Sequence, residues 1–188
     1  MMKFRRVIYG TRGLYLLVAQ TIILWLKQRA GSDVSFLIYL LLLAIVIAAQ
    51  IFRTWAAGFV GTTARQRETH AEVLLTAGPY AHVRNPMYLG NLIITTAMAA
   101  MSGLWYALPI AWAAYAFVYG NVIPYEETYL RGLFGEEYEK YFRAVPRLLP
   151  TPRGYPMKQG VFQWREGLAN ETAAWVVLPF FCYFFWRL

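Results

Sequence analysis

Two short polar clusters hold the side chains whose types and spacing could do chemistry. In the first, Arg84 precedes Asn85 and Pro86, a pair that favours a helix start because Asn caps free backbone N–H groups and Pro needs none. A helix N-terminus with an arginine beside it could hold an anionic group such as a carboxylate. Tyr80 and Tyr88 flank this position. A structural interpretation stays open, in which these side chains only anchor a capped helix at a membrane interface.

The second cluster consists of the adjacent acids Glu126 and Glu127 at the end of an apolar segment. Carboxylates at a membrane boundary are costly without a cationic partner. Neighbouring residues on a helix point in directions about 100° apart. We therefore expect one of the two acids to face inward and the other to face water or a basic residue.

A helical hairpin is predicted to bring the two clusters together. The apolar segments 86–101 and 104–124 are separated only by Ser102 and Gly103, and so short a turn makes the two helices antiparallel neighbours. The arginine before the first helix and the acids after the second then lie at one end. Either a structural salt bridge that closes the hairpin or a binding site for a small charged molecule would result.

The composition of the chain indicates an all-α integral membrane protein. Of its 188 residues 59% are hydrophobic and 15% charged, with a mean hydropathy of +0.37, whereas soluble domains carry about 25% charged residues. About five transmembrane helices are expected. They are the two hairpin segments, residues 13–26, residues 36–52 and the short, aromatic segment 172–186. Segment 13–26 is long enough to cross only if it extends back through Val7.

The basic residues predict how these helices are oriented. With five crossings, 15 of the 18 Lys and Arg residues fall on one side, in residues 1–12, 53–87 and 125–171. The positive-inside rule then places the N-terminus and both polar clusters in the cytoplasm. The net charge of +8 is explained by orientation and by attraction to anionic lipids, so that no nucleic-acid partner is implied. A cleaved signal peptide is the competing interpretation of the N-terminus, and we expect a retained anchor.

Two helices are predicted in the cytoplasmic segments. Residues 62–75 form the first, which ends at Gly78 and Pro79. Residues 134–145 form the second, an amphipathic helix that suits either the membrane surface or a cap on the bundle.

Isolated polar residues carry weaker signals. The polar residues within spans are expected to form hydrogen bonds between helices; they are Gln20, Gln50, Asn91 and Asn121. Cys182 is expected to pack in the interior. One cysteine and two histidines, His70 and His82, offer no set of ligands typical of a metal site.

The order of motifs resembles the isoprenylcysteine carboxyl methyltransferase family, which is related to the phospholipid N-methyltransferases. The resemblance covers about 75 residues and includes the hairpin placement. It is carried by Gly78-x-Tyr80-x-x-x-Arg84-Asn85-Pro86-x-Tyr88-x-Gly90 and by Glu126-Glu127-x-x-Leu130-x-x-x-Phe134-Gly135-x-x-Tyr138-x-x-Tyr141-x-x-x-Val145-x-Arg147-x-x-Pro150.

The resemblance implies an integral membrane enzyme that transfers a methyl group from S-adenosylmethionine, leaving S-adenosylhomocysteine, to a lipid-embedded or prenylated acceptor. The implied partners are membrane lipids and the lipidated substrate, with no obligatory protein partner. The cofactor would lie at the cytoplasmic ends of the hairpin, enclosed by the following segment. Carried over by position, the cofactor-binding residues would be Tyr80, Arg84, Asn85, Tyr88, Glu126, Glu127 and Arg147.

The acceptor decides the roles of the charged residues. A carboxylate acceptor needs no base, and Arg84 or Arg131 would orient it; an amine acceptor needs a base, and Glu127 or its neighbour could serve. The sequence leaves O- and N-methylation open. Two other functions stay open as well, an NADPH-dependent reductase of the sterol-reductase type and a non-catalytic membrane scaffold.

Two departures from the family pattern affect these expectations. Asn85 stands where the typical eukaryotic motif has histidine, and residues 151–188 extend beyond the last matched position. We therefore divide the sequence into an N-terminal two-span region with its connector (1–75), a methyltransferase-like core (76–150) and a C-terminal extension (151–188).

Overall fold

The computed structural model of the protein describes residues 2–60 and 73–188 and consists of helices and connecting loops in these ranges. The α-helices within them are α1 (Met2–Ala30), α2 (Phe36–Val60), α3 (Pro86–Met101), α4 (Ala107–Phe134), α5 (Glu136–Ala144) and α6 (Trp164–Arg187). A short 3₁₀ helix, Gly78–Ala81, precedes α3. The all-α prediction is confirmed.

In the described part of the chain four helices are long and apolar enough to cross a membrane. They are α1 from Phe4 onward, α2, α4 and α6, and α3 is a shorter apolar helix of 16 residues. The five predicted segments therefore all fall on helices. α1 extends well beyond the predicted 13–26, and α6 begins eight residues before the predicted 172.

The hairpin turn and the end of α4 differ from the prediction. Five residues, 102–106, separate α3 from α4 instead of two. α4 continues for ten residues past Pro124, where the span was predicted to end. A proline removes one backbone hydrogen bond, and apolar helices tolerate that loss where other groups satisfy the freed carbonyl. Glu126 and Glu127 consequently lie within the helix.

The chain forms two compact units by its contacts, and the first consists of Met1–Gln50, Asn91–Glu126 and Trp175–Leu188. Its apolar core includes the fully buried Ile23, Met101 and Phe185. Hydrogen bonds between helices join Gln20 to the carbonyl of Thr95 and Asn91 to the hydroxyl of Tyr119, as predicted. Asn121, which is half-buried, instead donates to the carbonyl of Phe117 in its own helix. Cys182 is buried as expected.

The second unit consists of Ile51–Gly90 and Glu127–Ala174, as far as these ranges are described. A small core of Leu74, Ala81, Tyr138, Tyr141, Val145 and Tyr155 holds α5 against the loop before α3. The amphipathic helix predicted over 134–145 is confirmed as α5. In the same unit α2 and α6 approach closely at Gly167, where an added Cβ would meet the Thr54 carbonyl, and Arg53 forms an ion pair with the buried Glu171 at 2.9 Å.

Residues 146–163, which we call the strap, connect α5 to α6 along the loop before α3. Backbone hydrogen bonds hold the strap to this loop, from Thr151 to His82, from Tyr155 to Ala81 and from Thr76 to Gln159. The predicted division into 1–75, 76–150 and 151–188 stays a prediction. The contacts group the strap and the start of α6 with the loop before α3.

The predicted helix 62–75 lies mostly outside the described residues, as do Arg65, Arg67 and His70. Its described end, residues 73–75, is not helical.

Candidate functional site

Arg84, Glu127 and Arg147 form a cluster of three charged side chains in the second unit. Nη2 of Arg84 lies 3.0 Å from Oε1 of Glu127. Arg147 binds the same carboxylate through both oxygens, with Nε at 3.0 Å from Oε1 and Nη2 at 2.6 Å from Oε2. The side chains of Arg84 and Glu127 are 8% and 6% exposed, whereas that of Arg147 is 47% exposed. The carboxylate is thus buried between one enclosed and one accessible guanidinium.

Arg84 is fixed by the end of α5 as well as by Glu127. Its Nη1 donates to the carbonyl oxygens of Phe142 and Val145, which belong to the last turn of α5 and the residue after it. Carbonyls at a helix C-terminus lack partners within the helix and carry partial negative charge. The guanidinium carbon also lies 4.0 Å from the centre of the Phe142 ring. The acceptors that Arg84 meets in this structure are therefore groups of the chain itself, one carboxylate and two backbone carbonyls.

The backbone before α3 explains why Arg84 points this way. Gly78 has φ 58° and faces the ring of Phe59, so that a side chain there would be both strained and obstructed. The chain then pairs with the strap, with Arg84 N–H donating to the Pro146 carbonyl at 2.9 Å and Asn85 N–H to the Arg147 carbonyl at 3.2 Å.

Asn85 occupies the predicted position directly before α3, and its side chain binds the strap. Its Nδ2 donates to the carbonyl oxygen of Arg147 at 3.1 Å. This amide thereby holds the backbone of one of the two arginines that contact Glu127. The role of Asn85 in cofactor binding, at the position of the family's histidine, stays a prediction.

The remaining predicted cofactor-binding residues, Tyr80, Tyr88 and Glu126, differ in their burial and contacts. Tyr80 is half-buried, and its backbone carbonyl accepts a hydrogen bond of 2.7 Å from the hydroxyl of Tyr141. Burial raises the pKa of the Tyr141 hydroxyl, which favours its neutral, donating form. Tyr88 is buried at the start of α3. Glu126 is half-buried and belongs to the first unit.

The guanidinium groups of Arg131 and Arg84 both contact the ring of Phe142. The guanidinium carbon of Arg131 is 4.4 Å from the centre of the Phe142 ring, and Nε of Arg131 binds Glu139 of α5 at 2.5 Å. The side chains of both partners are about two-fifths exposed, so this is a surface ion pair. The ring of Phe142 therefore connects the two arginines that the sequence singled out for orienting an acceptor.

The cluster carries two guanidiniums and one carboxylate. Hydrogen bonding to Glu127 raises the pKa of Arg147 above its already high usual value, so Arg147 stays cationic at physiological pH. Nε of Arg84 is buried and has no hydrogen-bond partner among the described residues. An arrangement of this kind can bind a small molecule that carries both charges, because each ligand charge can replace one member of an existing ion pair.

Several contacts at the site have no counterpart among the predicted residues. The carbonyls of Phe142 and Val145, the Tyr141 hydroxyl and the strap beyond Pro150 all fix the cluster. The amphipathic spacing of α5 indicated that Tyr141 would be buried, whereas backbone acceptors leave no signal in a sequence. Among residues 2–60 and 73–188 no group of three or more potential metal ligands occurs.

The family match falls on the part of the chain that contains the hairpin and the acids. Residues 34–137 match the sequence model of the family described as phospholipid methyltransferase. The cobalt-zinc-cadmium resistance protein CzcN of Cupriavidus metallidurans is 31% identical over 120 residues, 64% of this chain and 52% of that protein. Protein-S-isoprenylcysteine O-methyltransferase B of Arabidopsis thaliana is 33% identical over 117 residues, 57% of each chain.

A third relative, the protein-S-isoprenylcysteine O-methyltransferase of Schizosaccharomyces pombe, is 32% identical over 78 residues, 42% of this chain and 33% of that protein. The chain spans about half the length of the first two of these curated relatives. No solved structure matches the chain significantly.

Proposed function

This chain belongs to the phospholipid methyltransferase family, and from that premise we propose that it transfers a methyl group from S-adenosylmethionine to a lipid-embedded or prenylated acceptor. The names of the plant and yeast relatives, isoprenylcysteine O-methyltransferases, support an acceptor of this kind. The single observation that carries the proposal is the cluster of Arg84, Glu127 and Arg147, since it gathers charged residues of both family-like motifs.

The chemistry of the cluster fits the amino-acid end of S-adenosylmethionine. That end carries one ammonium and one carboxylate, and the cluster offers one carboxylate and two guanidiniums. Nε of Arg84 is buried and has no hydrogen-bond partner within residues 2–60 and 73–188. When bound, the cofactor supplies a methyl group activated by its positively charged sulfur. Glu127 would hold the ammonium, and Arg147 or Arg84 would hold the carboxylate.

Arg147 is the arginine that can exchange partners. Both oxygens of Glu127 already hold guanidiniums, and Oε1 holds two of them, so a ligand ammonium would compete with the guanidiniums for this carboxylate. Arg84 is enclosed and bound to two carbonyls, whereas nearly half of the Arg147 side chain is exposed. Arg147 would therefore release Glu127 and bind the ligand carboxylate, which keeps every charge paired throughout.

The other predicted residues position the two reactants. Asn85 holds the backbone of Arg147, Tyr88 is buried in the first turn of α3, and Tyr80 accepts a hydrogen bond from Tyr141 through its backbone carbonyl. With a carboxylate acceptor, Arg84 or Arg131 would orient its oxygens. The guanidinium groups of both arginines lie against the Phe142 ring. With an amine acceptor, a glutamate would take the proton. Fixing two reactants in line contributes about 7–11 kcal/mol to such a transfer.

The proposed site lies at the cytoplasmic face, with the N-terminus in the cytoplasm. The excess of basic residues in 1–12, 53–87 and 125–171 supports this orientation. A site at that depth would receive a polar cofactor from water, while the acceptor's tail stays in the hydrocarbon.

Calorimetric titration of the purified protein in lipid nanodiscs tests the cofactor. We expect saturable heat with S-adenosylhomocysteine and none with NADPH. Binding of NADPH alone would favour the reductase instead, and heat with neither would favour the scaffold.

Incubation with radiolabelled S-adenosylmethionine and membrane lipid extracts tests the acceptor. Label in the lipid phase supports the proposal, and base-labile release of methanol identifies a carboxyl methyl ester rather than an N-methylated product. Binding of the cofactor with no label in any lipid or prenylated peptide would contradict the lipid acceptor.

A further inference from the structure

Backbone hydrogen bonds to the rest of the second unit occur at every fourth residue of the strap. Backbone hydrogen bonds hold it to the rest of the second unit at residues 147, 151, 155, 159 and 163, with Asn85, His82, Ala81, Thr76 and Gly58 as partners. Tyr155 is buried against Tyr141 on this held side. The residues midway between these positions, 149, 153, 157 and 161, are exposed, although the carbonyl of Met157 also accepts a hydrogen bond from the Thr76 hydroxyl.

The outward side of the strap is both apolar and basic. Leu149 is 79% exposed, Val161 74%, Trp164 61% and Met157 50%. Arg153 and Lys158 are exposed between them, and Arg165 is exposed in the first turn of α6. Residues 146–163 contain three basic residues and no acidic one, so the strap itself carries one sign of charge only.

Chain continuity places this surface at the edge of the bilayer. The strap ends where the membrane-spanning α6 begins, at Trp164. At 1.5 Å per residue the 24 residues of α6 extend about 36 Å, which exceeds the roughly 30 Å hydrocarbon core. The strap itself is not helical and cannot enter the hydrocarbon. It therefore belongs at the depth of the lipid headgroups.

We propose that the outward side of the strap docks on the headgroups of anionic phospholipids in the leaflet that α6 enters. Its basic residues pair with lipid phosphates and carboxylates, while Leu149, Met157, Val161 and Trp164 insert among the headgroups. The same segment carries Arg147, so anionic lipid fixes the backbone of the arginine that covers Glu127. The docking surface depends on membrane insertion and not on the proposed methyl transfer.

Spin-label accessibility at Val161 tests the docking. The protein is Val161→Cys in a Cys182→Ala background, labelled with a nitroxide and reconstituted in phosphatidylcholine nanodiscs with or without phosphatidylglycerol. In the anionic nanodiscs we expect the label to be accessible to oxygen and shielded from an aqueous nickel chelate. Phosphatidylcholine alone should raise nickel accessibility, and a label at Glu136→Cys on α5 should stay accessible to nickel in both.

Charge variants separate anionic headgroups from lipid in general. Arg153→Gln with Lys158→Gln should shift the label's partition toward water by about fivefold for each charge removed. Arg153→Lys with Lys158→Arg, which keeps both charges, should leave the partition unchanged.

Equal nickel accessibility at position 161 in the two lipid compositions would overturn the proposal. Shielding from both oxygen and nickel would also overturn it, because a protein partner or a second copy would then cover the surface. Neither measurement involves a methyl donor, so failure of the docking and failure of the proposed activity are distinguishable.

Discussion

Glu127 is the residue on which the candidate site depends. Its carboxylate joins Arg84, which lies two residues before α3, to Arg147 on the strap, at 3.0 and 2.6 Å. A buried charge that loses one partner is destabilised strongly, whereas a charge that exchanges one partner for another is not. Binding through exchange therefore requires that Glu127 keep its charge while Arg147 moves.

Glu127→Gln is expected to weaken binding of S-adenosylhomocysteine tenfold or more. The amide keeps the shape of the side chain but loses the charge, and a hydrogen bond to a charged group contributes about 1.5–3 kcal/mol. Isothermal titration in nanodiscs measures the affinity, with Glu136→Gln on the exposed face of α5 as the matched control. Unchanged affinity in Glu127→Gln would remove the residue from the cofactor site.

Tyr141 makes the stability of the second unit depend on pH in the alkaline range. Burial raises the pKa of this hydroxyl above its usual 10.0, so the folded state favours the protonated form. The stabilisation is fully present below pH 10 and decreases as the pH rises above that value, because the unfolded chain ionises first.

Tyr141→Phe is expected to lower stability by about 1 kcal/mol at neutral pH through loss of the bond to the Tyr80 carbonyl. It should also reduce the loss of stability above pH 10. Thermal unfolding in detergent at pH 7 to 11 measures both effects. A wild-type and a variant curve that run parallel above pH 10 would show that Tyr141 does not govern this range.

Side chains of the site were predictable, and the atoms that orient them were not. Charge type and hairpin spacing placed Arg84 and Glu127 at one end of the bundle, and the structure brings them into contact. The sequence did not show that Arg84 would bind the carbonyls of Phe142 and Val145. Every residue has a carbonyl, so only the path of the chain decides which carbonyls lie within reach.

At the scale of elements, composition located the helices better than it located their ends. Each apolar run became a helix, because length and hydropathy decide that outcome. The prediction ended the fourth span at Pro124, yet α4 continues to Phe134, since local breaker signals are overridden where packing continues. Residues 151–163 of the strap were likewise assigned to an extension, because the family-like motifs end at Pro150 and backbone hydrogen bonds leave no signal in a sequence.

Thr76 offers a direct measure of how firmly the strap is held. Its hydroxyl is buried, donates to the Met157 carbonyl and accepts from the Gln159 N–H at 2.9 Å. Thr76→Val keeps the volume and leaves two strap groups unpaired, at a cost of about 1–3 kcal/mol. Hydrogen exchange should rise at Tyr155 and Gln159, whereas the exposed control Thr172→Val should leave both amides protected. Equal protection in Thr76→Val would mean that the remaining backbone bonds hold the strap alone.

At the scale of the whole molecule, the short α3 decides the membrane topology. Its 16 residues extend about 24 Å, less than the roughly 30 Å of the hydrocarbon core, so length alone does not guarantee a crossing. If α3 crosses, three crossings separate Gln28 from Glu136, so these two residues lie on opposite sides of the membrane. Two crossings separate Gln28 from Trp105, so these two lie on the same side. The excess of basic residues in 125–171 then falls in the cytoplasm together with Glu136.

Single cysteines at Gln28, Trp105 and Glu136 in the Cys182→Ala background distinguish the two topologies. All three native side chains are exposed, so each cysteine should react with a membrane-impermeant maleimide from its own side of an inside-out vesicle. We expect Glu136→Cys to react from the cytoplasmic side and the other two only after the vesicle is opened. Reaction of Trp105→Cys from the cytoplasmic side, with Glu136→Cys protected, would show that α3 re-enters without crossing. That result would put Glu136 and its neighbours in α5 on the outer face, where the positive-inside rule does not place them.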